Sequence, residues 1–222
     1  MARMARVVIP GVAHHVTQRG VRRGDVFFCD EDYKLYIRLL SKSCKKSGTD
    51  VWAYCLMTNH VHLVMVPSTE DGLRASLGEA HRCYTQHINQ REGCRGHLWQ
   101  ERFHSFPMDE EYLLATCRYV ELNPVHANMV KLAEAYQWSS AKAHLAGKDD
   151  SLVKVAPMLE RVSNWQSFLD SDLDDVMIES LRKHTRTGRP LGDDTFLSSV
   201  ESIAGRVLRP LKQGRKRKDD NK

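Results

Sequence analysis

The chain has 222 residues, 41% hydrophobic and 27% charged, an ordinary globular composition that excludes a largely disordered polymer. Lysine plus arginine total 33 against 28 aspartate plus glutamate, and the resulting net charge of +5 leans toward a polyanionic partner. No apolar run approaches the ~18 residues of a membrane span, and the six cysteines form no Cys-x-x-Cys pair, which excludes a zinc ribbon or disulfide framework and suits free thiols in a reducing cytoplasm.

Residues 6–20 hold Val7, Ile9, Val12, Val16 and Thr17 in loose alternation, which predicts a first strand ending in a basic turn over 19–24. A helix over 30–46 follows: Tyr33, Tyr36, Ile37, Leu40 and Cys44 recur at helical spacing, Asp30 is the candidate N-cap and Gly48 the stop. Two apolar runs, 51–57 and 61–66, flank the short turn Thr58-Asn59 and read as a hairpin. Leu73, Leu77, Tyr84 and Ile88 mark a second helix over 70–89, closed by Gly93 and Gly96, and 97–108 reads as a fourth strand. A third helix begins at Asp109 as N-cap and stops at Pro124, since the residue before proline is pushed from helical geometry.

The order βαββαβ plus a further helix predicts an α+β fold, a ferredoxin-like antiparallel sheet with helices on one face. Helical stretches near 138–145, 157–169, 173–184 and 194–208, with a loop over 187–192, form a helical C-terminal extension. The expected division is 1–130 for the core, 131–211 for the extension and 212–222 for a basic, disordered tail. Two basic clusters, Arg19, Arg22 and Arg23 early and Lys212, Arg215, Lys216, Arg217 and Lys218 late, suit phosphate contacts. A solvated basic surface is the plain alternative for both.

Asn59-His60-Val61-His62-Leu63 is the segment that carries chemistry. Strand side chains alternate faces, so His60 and His62 point the same way, roughly 6.6 Å apart along the strand, while Val61 and Leu63 point to the core. One divalent ion can bridge such a pair. Hydrolases of the His-x-His-x-Asp-His type need Asp and His where Val64 and Met65 stand, histidine-triad hydrolases need a third His at Val64, and two-histidine phosphoesterases need a second His-x-Thr/Ser beside His15-Val16-Thr17. Two histidines satisfied by hydrogen bonds without metal remain the structural alternative.

Tyr119, in Arg118-Tyr119-Val120-Glu121-Leu122-Asn123-Pro124, adds a nucleophile candidate. Asn123 at i+4 falls on the same helical face, about 6 Å away, where its amide oxygen can join the same ion. A phenol ionises only near pH ~10 and attacks poorly until an adjacent cation favours the phenolate.

The segments Tyr54-Cys55-Leu56-Met57-Thr58-Asn59-His60-Val61-His62-Leu63 and Tyr119-Val120-Glu121-Leu122-Asn123-Pro124-Val125 resemble the two signature motifs of single-tyrosine HUH transposases, in particular the REP-associated tyrosine transposases. The resemblance runs over about residues 5–145 in motif order and includes His15-Val16-Thr17-Gln18-Arg19-Gly20 and Leu98-Trp99-Gln100-Glu101-Arg102-Phe103. The Gly188-Arg189-Pro190-Leu191-Gly192 loop is similar to a segment of that branch.

The resemblance implies that His60, His62 and Asn123 hold Mg²⁺ or Mn²⁺, and that Tyr119 attacks a DNA phosphodiester to leave a 5′-phosphotyrosine and a free 3′-hydroxyl. The insertion-sequence relatives carry Gln where Asn123 stands. The implied substrate is single-stranded DNA beside imperfect palindromic hairpins of the REP type, with strand transfer as the outcome and a bacterial, cytoplasmic setting. Implied DNA contacts are Arg19, Gly20, Arg22, Arg23, Trp99, Arg102 and Arg189, with Trp99 as a base-stacking platform. In a ferredoxin-like strand order His15 lies beside the histidine strand as a structural or phosphate contact. The alternatives are a domesticated palindrome-binding protein that does not cut, and a nickase that does not rejoin. The oligomeric state, monomer or homodimer, is left open.

Overall fold

The computed structural model describes residues 4–171 and 174–210; the basic end at 212–222 and Leu173 lie outside the described residues. Four strands, β1 (His14–Arg19), β2 (Thr49–Met57), β3 (His60–Pro67) and β4 (His104–Pro107), form one antiparallel sheet in the order β2-β3-β1-β4. That is the order of two interleaved βαβ units, so the α+β, ferredoxin-like class expected from the sequence is the one observed. Helices α1 (Asp30–Ser47) and α2 (Gly72–Arg91) cover one face. Val61, Leu63 and Met65 of β3 point to that face and pack with Tyr36, Leu40, Leu77 and Tyr84 in the first core.

The alternate residues of β3 face the other side, where α3 (Glu110–Glu121) packs on β2 and β3. Asp109 caps α3 by accepting the Tyr112 N–H, as its position before the apolar stripe predicts. Leu113, Cys117 and Val120 then meet Val64, Cys55 and Phe106 in a second core. A short α4 (Asn123–His126) follows, then α5 (Ala141–Ala146), α6 (Ala156–Leu159), α7 (Trp165–Asp170), α8 (Asp175–Thr187) and α9 (Asp194–Ala204). These later elements give Met158, Trp165, Leu181 and Leu191 to the same second core.

Both lateral edges of the sheet are covered by the C-terminal third. Along β2, Leu56 N–H donates to the Trp138 carbonyl, Ser140 N–H to that of Tyr54 and Lys154 N–H to that of Val51, while Cys55 and Ser139 form an isolated bridge. Beyond β4, Leu191 bridges to Met108 in parallel, and Asp109 Oδ2 accepts the Asp193 N–H. Gly192 is needed there, because a Cβ would fall 2.7 Å from Asp109 Oδ2.

Several sequence expectations change. The first strand starts at His14 rather than residue 6: Pro10-Gly11 makes a turn, with Gly11 at φ +75°, and Val7 and Ile9 pack instead with Val200 and Leu208 of the C-terminal end. Asp30 opens α1, but Cys29 is the capping residue, and Asp32 accepts the Phe28 and Cys29 N–H groups. The fourth strand is only His104–Pro107, since Glu101 adopts φ +56° and residues 97–103 follow a loop tied to β1 by the Gly20–Trp99 bridge and by Gln100 N–H to Arg19 O. Pro124 does not end helical structure: it sits in the first turn of α4, where its missing N–H costs nothing. No described helix is long and apolar enough to cross a membrane.

Candidate active site

Two strands and a helix bring the site together. His60 pairs in register with Arg19 of β1 and His62 with Thr17, so β1 carries its alternate side chains to the same face as the histidines. The His60 and His62 rings stand 5.0 Å apart, nearly perpendicular. Tyr119 approaches from α3 with its ring 5.7 Å from that of His62. One cavity of about 490 Å³ is lined by His60, His62, Tyr119 and Asn123 together with Arg19 and Arg23.

The outward-facing nitrogens of the two histidines are organised by their neighbours. His60 Nδ1 donates to Asn59 Oδ1 at 2.6 Å, which leaves Nε2 as the lone-pair nitrogen. His62 Nδ1 lies 3.0 Å from Nε2 of His15, which is almost fully buried on β1. Burial, and then the Arg19 charge, lowers the His60 pKa to about 4; burial lowers His15 to about 3; burial and the neighbouring histidines and Arg19 push His62 well below the ordinary value. All three imidazoles are therefore neutral near neutral pH, the form that ligates metal.

The donor set tests the fit of an ion. Among the described residues no three His, Cys, Asp or Glu side chains gather as a metal site. An ion held by the two imidazoles would need an amide oxygen or solvent as its third ligand, and Asn123 lines the cavity, its Nδ2 buried and without a hydrogen-bond partner. The Nδ2 group is a hydrogen-bond donor and not a cation ligand; an ion such as Mg²⁺ or Mn²⁺ at the two imidazoles would take Asn123 Oδ1 as its third protein donor. Asn123 opens α4 rather than continuing α3, so its side chain reaches the cavity from a second helical segment and not from a fourth position on one helix.

The remaining expected residues divide. Arg19, Arg22 and Arg23 are exposed around the turn after β1, and Arg22 and Arg23 adopt φ +54° and +63°. Gly20 sits where a Cβ would be 2.2 Å from the Gly24 carbonyl oxygen, so the turn requires glycine. Arg102 is exposed on the 97–103 loop and outside the cavity lining. The Trp99 indole is largely buried in the first core, stacked 4.5 Å from His81 and near Tyr36 and Tyr84, and it lines a separate cavity together with Arg102 rather than the one that holds Tyr119. Arg189 is half-buried and donates to the Leu208 carbonyl, holding the C-terminal end in place.

Sequence reasoning missed four contributors. His104 and Gln100 reach the cavity from β4 and its preceding loop, and Arg182 and Arg186 reach it from α8. The spacing of Leu181, Arg182, Thr185 and Arg186 on one helical stripe was the available signal, but only the tertiary placement of α8 gives it meaning.

A buried network fixes α3 behind Tyr119. Glu121, without solvent exposure, accepts from Ser140 Oγ at 2.5 Å and His144 Nδ1 at 2.6 Å through Oε1, and from Trp165 Nε1 at 2.8 Å through Oε2. The three donors belong to the C-terminal third, so the helix with the tyrosine is held from the side of the extension.

Residues 10–123 match the family model for IS200-like transposases. Among solved structures, the chain is similar to the REP-associated tyrosine transposase bound to a REP hairpin, at 19% identity and TM-score 0.58 over 68% of this chain and 90% of that one. A putative transposase from Deinococcus radiodurans R1 aligns at 20% identity and TM-score 0.38, over 54% of this chain and 96% of that one. No curated protein gives a significant match.

Proposed function

The chain belongs to the IS200-like transposase family, and from that premise we propose that it is a metal-dependent single-stranded DNA endonuclease and strand-transferase that cuts beside palindromic hairpins of the REP type. The observation that carries the proposal is the convergence of Tyr119, His60, His62 and Asn123 on one cavity from separate elements. Residues 1–130 are assigned as the nuclease unit and 131–211 as its extension.

Tyr119 Oη attacks the phosphorus of the scissile diester. The bond from phosphorus to the 3′ oxygen breaks, the phenol gives up its proton, the departing 3′ oxygen gains one, and the 5′ fragment end stays linked to the tyrosine. Attack by a 3′-hydroxyl on that phosphotyrosine reverses the step and joins strands. A divalent ion bound by His60, His62 and Asn123 would polarise the phosphodiester oxygens under attack. Arg19 and Arg23 supply fixed positive charge for the flanking phosphates. The face-to-edge placement of Tyr119 against His62 and His15 holds the phenol beside the imidazoles rather than in the core.

The test is incubation of the full chain with end-labelled hairpin DNA and Mn²⁺, resolved on a denaturing gel. A protein-linked band on the fragment 3′ of the cut, absent with EDTA and with Tyr119→Phe, is the expected result. Tight hairpin binding with no adduct and no cut would instead identify a palindrome-binding protein.

A further inference from the structure

The C-terminal extension does more than brace the core. We infer that α8 forms a second wall of the cleavage cavity, on which Arg182 and Arg186 grip the backbone phosphates of the single strand that enters it. The inference rests on the reading of the cavity as a DNA-cutting site and names residues that bind the substrate there.

Helix α8 lies against β1, β4 and α3. Leu181 is fully buried in the second core, and the His184 ring stands 6.0 Å from that of Phe106 on β4, so the helix is pinned on its inner stripe. Arg182, Thr185 and Arg186 then line the cavity that holds His60, His62 and Tyr119, with Arg19 and Arg23 on the β1 side. Among the described residues, four guanidinium groups and one carboxylate, that of Glu101, therefore line this cavity.

Charge of one sign at this density has a cost within the protein. Arg182 and Arg186 are four apart on a helix, a like-charge spacing that destabilises it by a few tenths of a kcal/mol. Among the described residues neither arginine has an ion-pair or side-chain hydrogen-bond partner, and both are exposed. The helix dipole favours a cation at Arg186 in the last turn but offers nothing to Arg182 a turn earlier. The group that offsets this repulsion is an anion in the cavity.

The test is fluorescence anisotropy with the full chain in EDTA, using a fluorescein-labelled DNA hairpin with a single-stranded arm and the same hairpin without it, across a KCl series. For the armed hairpin, the R182A/R186A double variant should bind more weakly. Its slope of log affinity against log salt should flatten by about 1.4, near 0.7 for each single-strand phosphate that is no longer neutralised. R182K/R186K should restore most of the slope, which separates charge from a folding defect. The armless hairpin should bind both proteins alike. An unchanged slope on the armed hairpin, or an equal weakening on the armless one, overturns the inference. If wild type binds neither oligonucleotide, the inference and the DNA-cutting reading both fall. If the slope changes as expected yet wild type with Mn²⁺ forms no tyrosine adduct, the cutting reading falls and the α8 wall stands.

Discussion

His15 Nε2 lies 3.0 Å from His62 Nδ1 across the β1–β3 pair, and both imidazoles are neutral. One proton is shared along that line. When His62 Nδ1 carries it, His62 Nε2 is free to ligate; when His15 Nε2 carries it, Nε2 of His62 holds the other proton and cannot. His15 is thus a positioning residue that orients the His62 ring from the side away from the cavity, as partners of metal-bound histidines do elsewhere.

His15→Leu is expected to weaken Mn²⁺ binding by roughly 10–100-fold, measured by titration calorimetry or by the loss of the free-ion resonance signal. His15→Gln, whose amide oxygen can accept the same hydrogen bond, should keep most of the affinity. Equal affinity for wild type and His15→Leu would refute the role.

Glu121→Ala removes the one acceptor shared by Ser140, His144 and Trp165. The His144 Nδ1 and Trp165 Nε1 donors lose their acceptor while Ser140 Oγ keeps the Tyr54 carbonyl, and each buried donor left unpaired costs about 1–3 kcal/mol. A chain of this length should then melt on the order of 10 °C lower. A thermal scan with no shift would show that solvent enters and satisfies the donors.

The Asp32 carboxyl, side chain 1% exposed, gives stability that depends on pH. Burial raises its pKa, but the Arg91 hydrogen bond and charge and the Phe28 and Cys29 N–H groups outweigh it, and the net shift is downward. A depressed folded-state pKa contributes stability above the unfolded value near ~3.9 and loses it as pH falls through the folded value. Urea unfolding of wild type and Asp32→Asn should therefore differ by about 2 kcal/mol at pH ~7 and converge well below pH ~4. A gap that stays constant over this range would assign the effect to packing.

Gly20→Ala forces a Cβ to within 2.2 Å of the Gly24 carbonyl oxygen and 2.8 Å of Val26 Cγ1. The turn that presents Arg19 and Arg23 has to shift, at about 1–3 kcal/mol. Weaker single-strand binding together with a lower melting temperature is the expected pair of changes. A drop in melting temperature alone would confine the glycine to a packing role.

The sequence already displayed what local chemistry encodes. The Asp109 cap, the Gly48 stop at φ +63° and the alternation that turns His60 and His62 from Val61 and Leu63 are short-range features, and each is where periodicity puts it. The features that local pattern leaves open are long-range: the expected strand order sets His15 beside the histidine strand but does not give its ring contact. His15 meets His62 only through strand register, 47 positions away in the chain. Arg182 gains its place only because α8 docks on β4, and Trp99 alternates with neither a strand nor a helix because its loop is held by Gly20 and Arg19. The same holds for Glu121, an acidic residue in a helix that reads as surface until Ser140, His144 and Trp165 fold over it.

The straps along β2 and β4 set a limit on how the protein can be dissected. Unpaired strand edges recruit strands from other molecules, and here residues 136–140, 154 and 191 occupy those hydrogen-bonding positions. A chain shortened to residue 130 would keep every expected catalytic side chain and yet lie open on two sides. Its inactivity would measure self-association as much as the absence of α8, so point substitutions, and not deletions, are the sound way to divide the roles of the two halves.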